Sequence, residues 1–264
     1  MARKIIDFHM HPWTLPEERI CNFPEAVLAG DPIATLTEDM ARIGIGRYCG
    51  SVINRSFTTP EEQIDAIRLS NEHAYRIYET LPENYIPGIH VHPAFVRESC
   101  EELEKHHRLG VRLVGELVPY CHGWGTVGYV TEGLDEILDL IADLSMVVSF
   151  HSMGARKDEY EMVKRHPRNV FVAAHPAEKD SYLRHMDWME ECPNYYLDLS
   201  GTGLFRYSML TAGVRRVGAE RFLFGTDYPV CSPAMNIAGV EYERISEADK
   251  DLIFFGNAER LLGL

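Results

Sequence analysis

The sequence predicts one α/β domain folded as a (β/α)8 TIM barrel, and three observations carry that reading. Short β-branched apolar runs alternate with longer amphipathic stretches along the chain. Eight such pairs fit within 264 residues, a usual size for this barrel. Residues able to ligate a metal stand at the ends of several runs, the end where barrel enzymes keep their chemistry. A doubly wound open sheet is the alternative. It would place a Gly-rich phosphate turn after its first strand, where this chain has His9-Met10-His11-Pro12.

The elements follow in order. Strand one is expected over 3–9. A long connection over 14–31, with Pro16 and Pro24, could cover the active mouth. Strand two follows over 46–53. Ile64, Ile67, Ala74 and Ile77 keep helical spacing with charged residues between them, which predicts a helix over 61–81. Strand three (85–91) and a helix over 98–109 lead to strand four (111–117). The stretch 119–128, with Tyr120, His122 and Trp124 among small residues, is a second candidate lid. Next come a helix over 131–144, strand five (146–151), a helix over 157–166 and strand six (169–175). A helix over 181–190, strand seven (194–199), a short helix within 204–217 and strand eight (221–226) complete the series. Such alternation implies parallel pairing through right-handed crossovers. No linker, repeat or low-complexity stretch interrupts it, so the domain is expected to be residues 1–264.

Apolar content of 45% and charged content of 25% are ordinary for a globular protein with a normal core. A net charge of −14 argues against nucleic acid as a partner, which needs a basic footprint. Six cysteines without a CxxC pair read as reduced thiols in the cytoplasm. The sequence runs from Ala2-Arg3-Lys4 straight into a strand, so no secretory leader is expected. No apolar run approaches the ~18 residues of a membrane span. The expected partner is a small-molecule substrate, with self-association left open.

His9 and His11 lie two residues apart on one strand and so face the same side, offering two nitrogen ligands to one ion. Glu116, His151, His175 and Asp227 end later strands in equivalent positions. Imidazole plus carboxylate, without thiolate, suits Zn²⁺, Mn²⁺, Fe²⁺ or Ni²⁺, with Zn²⁺ the usual choice for hydrolysis. Such an ion supplies an activated water near neutral pH, and Asp227 could both ligate it and accept the proton.

These residues also resemble a known group. Asp7-Phe8-His9-Met10-His11 matches the DxHxH opening of the amidohydrolase superfamily, and His151 and His175 match its fifth- and sixth-strand histidines. Leu223-Phe224-Gly225-Thr226-Asp227-Tyr228-Pro229 resembles the eighth-strand motif of the amidohydrolase-2 (amidohydrolase-related) branch, and Asn257-Ala258-Glu259-Arg260-Leu261-Leu262 its closing helix. The resemblance implies a metal-dependent barrel enzyme: a hydrolase of C–N or C–O bonds, a lactonase or a non-oxidative decarboxylase. Glu116 stands where binuclear hydrolases of the superfamily keep a bridging carboxylate, which the mononuclear decarboxylases lack. On that resemblance His9, His11, Glu116 and Asp227 would hold one ion, and Glu116, His151 and His175 a second. With one ion only, His175 would be free to polarise a carbonyl or shuttle a proton.

The expected function is therefore hydrolysis of a small carboxylate- or carbonyl-bearing substrate, with Asp227 and His175 catalytic. The alternative is a lyase with one metal, either a decarboxylase or a hydratase. A barrel holding a purely structural ion is weaker, because structural zinc sites are closed four-ligand cages.

Other candidates are weighed against plainer roles. His90-Val91-His92-Pro93 is a second HxH, and His92 could touch substrate or simply pack. Arg55 could clamp a carboxylate or lie on the surface; Arg156 and Arg206 are weaker cases of the same kind. Tyr120, His122 and Trp124 could line the pocket or anchor their loop. His73, His106, His107, His166 and His185 fall within helical patterns and read as solvated or capping residues. Asp7 reads as a partner behind the ligands.

Overall fold

The computed structural model describes residues 3–21, 30–54, 59–124 and 128–264. Eight parallel strands pair in chain order: β1 (Ile6–Met10), β2 (Arg47–Gly50), β3 (Tyr85–Ile89), β4 (Leu113–Leu117), β5 (Val147–His151), β6 (Val170–Ala174), β7 (Tyr195–Asp198) and β8 (Phe222–Leu223). Phe8 N donates to Phe224 O at 2.8 Å, and Met10 bridges Tyr228, so the sheet comes round on itself. This is the (β/α)8 TIM barrel.

Ten α-helices accompany the strands among the described residues. They are α1 (Pro32–Ile43), α2 (Pro60–Thr80), α3 (Val96–Arg108), α4 (Glu132–Asp143), α5 (Lys157–Arg165), α6 (Lys179–Glu191), α7 (Met209–Val217), α8 (Pro233–Tyr242), α9 (Glu247–Asp251) and α10 (Asn257–Leu262). Their ends follow local chemistry. In α1 the Asp31 side chain accepts from Ala34 N at 2.7 Å, Pro32 opens the first turn, and Gly44 closes the helix in the left-handed region (φ 83°). Thr59 and Glu62 form a reciprocal capping box at the start of α2. No described helix is long and apolar enough to cross a membrane.

The core has two parts. Along β5, Val148 and Phe150 join the large cluster between strands and helices, while Val147 joins a smaller one with Cys49, Leu113, Val172 and Leu223 from four other strands. Ala258 and Leu262 of α10 close that second cluster. Ser149 and His151 share parity with Val147, so β5 carries apolar packing at one end of the barrel and chemistry at the other.

The structure departs from the expected elements in four places. Regular pairing of strand eight is confined to two residues, because residues 224–227 leave the ladder to position the site. The helix expected within 204–217 begins only at Met209. α1 and α8 lie in stretches for which the pattern gave no helix. Four of the five helical histidines are buried and partnered, not solvated. His73 Nδ1 is 2.6 Å from Glu18 Oε1, and His106 Nδ1 is 3.0 Å from Glu102 O. His166 Nε2 is 2.8 Å from Asp135 Oδ1, and His185 Nδ1 is 2.6 Å from the Tyr195 hydroxyl. Each finds a hydrogen-bond partner where its helix packs, which makes its burial tolerable. His107 is half-buried.

Candidate active site

Six strand-end side chains converge at the carboxyl mouth. His9 and His11 turn their Nε2 atoms toward each other at 3.1 Å. Their other nitrogens are held from behind, His9 Nδ1 by Asp198 Oδ2 at 2.8 Å and His11 Nδ1 by the carbonyl of Ser51 at 3.2 Å. A carboxylate and a carbonyl can only accept, so both protons sit on Nδ1 in the neutral rings and both Nε2 lone pairs face inward. Two bare lone pairs at that distance repel unless positive charge lies between them.

Glu116 joins the two halves of the site. Its Oε2 lies 3.6 Å from His9 Nε2 and 3.4 Å from His11 Nε2, while its Oε1 lies 3.0 Å from His151 Nδ1 and 3.5 Å from His175 Nε2. Ser51 helps fix it from the side of the backbone: its Oγ accepts from Glu116 N at 3.0 Å. Asp227 Oδ1 stands 3.5 Å from His11 Nε2 and 3.8 Å from His9 Nε2. His9, His11 and Glu116 form one group, and Glu116, His151 and His175 another, whose ligand atoms lie within 4.8 Å of one another.

Two of the six are aimed by unusual backbone. His175 (φ 73°) and Asp227 (φ 61°) both occupy the left-handed region, which costs of order 1 kcal/mol or more for a residue with a Cβ. Simple alternation would send His175 to the side of Phe171 and Ala173, which pack toward the helices. The left-handed turn re-aims its ring so that Nε2 comes within 3.2 Å of His151 Nδ1. Gly201 gives that ring room: a Cβ there would meet His175 Nδ1 at 2.4 Å.

Buried carboxylates set the electrostatics. Burial pulls the His9 imidazole down, but Asp198, Glu116 and Asp227 outweigh it and push it up to about 10. Burial likewise opposes charge on Glu116, yet His9, His151 and His11 hold it well below the usual carboxylate range. His151 is raised because Glu116 outweighs its burial, whereas burial lowers His175. A proton shared among these groups stands where a cation of higher charge would bind better. Four imidazoles and two carboxylates, with lone pairs turned inward, fit a divalent ion.

Asp198 and Ser200, at the end of β7, were missed by sequence reasoning. Asp198 is fully buried and held below the usual carboxylate range, since His9 outweighs the opposing effect of burial. Ser200 Oγ donates to Asp198 and lies 3.0 Å from His175 Nδ1, so one carboxylate steadies ligands from two strands. A signal existed: Tyr195-Tyr196-Leu197-Asp198 is a further apolar run ending in a carboxylate. Asp7 stands behind the six and acts on their backbone. It accepts from His9 N at 3.1 Å and Thr226 N at 3.0 Å, pinning the Asp227 turn to β1, and burial raises its carboxyl to about 7.

The site opens into a cavity of about 430 Å³. Ile20 reaches it from the first connection, and Tyr120 and Cys121 from the second, so both candidate lids contribute to its wall. Tyr120 is 59% exposed and stands edge-on to His151 with ring centres 5.3 Å apart. Cys231, which sequence reasoning also passed over, lines the cavity with its Sγ 4.0 Å from Asp227 Oδ2. His92 and His122, expected to touch substrate, do not line it. His92 accepts from Ala94 N at 3.1 Å, and His122 is buried against His90 with ring centres 4.1 Å apart. Trp124 is buried against Tyr129. Arg156 pairs with Asp158 at 3.2 Å and Arg206 with Glu178, both away from the cavity. Arg55 lies outside the described residues.

Comparison with known proteins adds to this picture. The family described as amidohydrolase matches residues 6–264. A γ-resorcylate decarboxylase of Polaromonas sp. (strain JS666) is 33% identical over 105 residues, 40% of this chain and 31% of that protein. The chain therefore aligns with about a third of the length of this curated relative. The structure of a 2,6-dihydroxybenzoate decarboxylase complexed with 2,6-dihydroxybenzoate superimposes with a TM-score of 0.76 at 17% identity, covering 100% of both chains. That of a dihydroxybenzoic acid decarboxylase from Polaromonas sp. JS666, with bound manganese and the inhibitor 2-nitroresorcinol, gives 0.74 at 17% identity over 100% of this chain and 98% of that one. At such identities the structural likeness speaks for the fold.

Proposed function

The chain belongs to the amidohydrolase family, and on that premise we propose that it is a metal-dependent lyase that decarboxylates a small carboxylate-bearing substrate. The observation that carries this choice over hydrolysis is the 33% identity with a γ-resorcylate decarboxylase. The hydrolase expected from Glu116 alone becomes the second reading. With one ion, His9, His11, Glu116 and Asp227 would hold the metal, manganese or zinc, which when bound supplies Lewis-acid polarisation of the substrate, and His175 would be left free.

The chain's own part is proton handling and orientation. The Ser200 hydroxyl donates its hydrogen bond to Asp198, so neutral His175 donates Nδ1–H to Ser200 Oγ and presents a bare Nε2 to the cavity. That atom can take a proton from a substrate hydroxyl and return it to the carbon that bore the carboxylate as the carbon–carbon bond breaks and CO₂ leaves with the carboxylate's oxygens. Asp198 balances the imidazolium through Ser200. Ile20, Ile53, Val118 and Val230 line an apolar wall that would seat a flat substrate and exclude water.

Glu116 keeps hydrolysis as a specific second reading. With neutral imidazoles, Glu116 and Asp227 give the six donors two negative charges. One divalent ion leaves that set neutral, and a second leaves it positive enough to draw an anionic substrate. The test loads the protein with Mn²⁺ or Zn²⁺ and supplies 2,6-dihydroxybenzoate, related hydroxybenzoates, and a panel of lactones and amides. Release of CO₂ from a hydroxybenzoate supports the lyase. Turnover of a lactone or amide, with every hydroxybenzoate untouched, overturns it in favour of hydrolysis.

A further inference from the structure

The opposite mouth of the barrel carries a second concavity, of about 310 Å³. Arg47, which opens β2, and Arg112, just before β4, both line it and are half-buried. Backbone carbonyls alone tether the two guanidiniums. Arg47 Nε donates to Glu83 O at 3.0 Å, and Arg112 Nη1 donates to Val111 O at 2.9 Å and His107 O at 3.1 Å. Among the described residues neither makes an ion pair with a carboxylate, whereas Arg3, Arg165, Arg168 and Arg216 each do. Carbonyl tethers fix a guanidinium plane without neutralising it. Arg47 keeps both Nη groups, and Arg112 its Nη2 edge, for another acceptor.

Aromatic and aliphatic side chains supply much of the remaining lining. Tyr75 and Tyr78 stand with ring centres 5.6 Å apart, and Pro87 and Leu262 also line the cleft. Two uncompensated cations in a concavity focus field on its interior, and here they do so in a chain of net charge −14. The reacting centre of such a barrel is at the other mouth, so a ligand here would not be the substrate in turnover.

We propose that this cleft binds a small planar organic anion, with its oxyanion on Arg47 and Arg112 and its flat body against the tyrosines, as an effector site apart from the catalytic one. Aryl carboxylates and nucleoside monophosphates share that chemistry, and the test separates them. Calorimetric titration of the metal-loaded protein would use benzoate, adenosine monophosphate and inorganic phosphate. At least one planar probe should bind more tightly than phosphate. Arg47→Gln and Arg112→Gln, made singly so that each keeps the other tether, should each weaken it at least ~10-fold. Tyr78→Ala should weaken the planar probe while leaving inorganic phosphate unchanged, a readout that does not depend on losing either arginine tether. Binding that both arginine variants leave unaltered places the probe elsewhere and overturns the proposal. Inorganic phosphate matching the planar probes, with Tyr78→Ala neutral, overturns the planar part of it.

Discussion

Replacing Asp198 by asparagine should strip much of the metal affinity without touching a ligand. The carboxylate is fully buried and accepts from His9 Nδ1 at 2.8 Å. It also accepts from Ser200 N at 2.9 Å and from the Ser200 hydroxyl. An amide can satisfy only part of that set. If its NH₂ faces His9, the imidazole proton must move to Nε2, the atom that should meet the ion. If its oxygen faces His9, the Ser200 contacts meet an amide donor and His175 loses its support. Loss of such a partner behind a ligand costs about 10–100-fold in metal affinity, or roughly 1.4–2.8 kcal/mol. Chelator competition on the purified protein measures it, with far-UV circular dichroism to show that the barrel is kept. Asp198→Glu should lose less than Asp198→Asn if charge is what matters. Metal affinity equal to wild type in Asp198→Asn would refute the role given to β7.

Three further changes test other parts of the site and fold. Gly201→Ala puts a Cβ 2.4 Å from His175 Nδ1 at a backbone φ of 63°, so turnover should fall about 10²-fold with the overall fold retained, read by steady-state kinetics alongside circular dichroism. Asp227 is the base only in the hydrolytic reading, where Asp227→Asn, which keeps the shape and one ligand oxygen, should cut lactone or amide turnover at least ~10²-fold while metal content, measured on the same sample, is partly kept. His185 is fully buried and burial pushes it down to about 3, so the folded state refuses a proton that the unfolded chain takes up below about 6.5. Its contribution to stability is therefore complete above that pH and is lost as pH falls toward 3, by about 2 kcal/mol at pH 5. Urea unfolding of wild type and His185→Gln at several pH values should show their difference shrinking on acidification, and a difference independent of pH would count against it.

The barrel was readable from the sequence because eight apolar runs and the amphipathic stretches between them each repeat with a clear period. Five strand ends announced themselves with His, Glu or Asp, and all six of those side chains meet at one mouth. Asp198 escaped because a carboxylate after two tyrosines reads as an ordinary strand end until His9, 189 residues away, is seen against it. The aim of His175 was beyond sequence reasoning for another reason: strand alternation points it outward, and only the left-handed backbone corrects that. For His92 an HxH spacing fixes which side two rings share and not which partners they find, and its own loop supplies one through Ala94 N. The helical histidines show the same limit, since burial depends on which helix face meets the barrel.

Metal content is the most direct test of a site built from six converging ligands. Elemental analysis by inductively coupled plasma mass spectrometry should find at least one divalent ion per chain in the purified wild type. His9→Ala combined with His11→Ala should bring that toward zero, because the remaining donors lose both inward Nε2 atoms of β1. Unchanged metal in the double variant would contradict the site as drawn here.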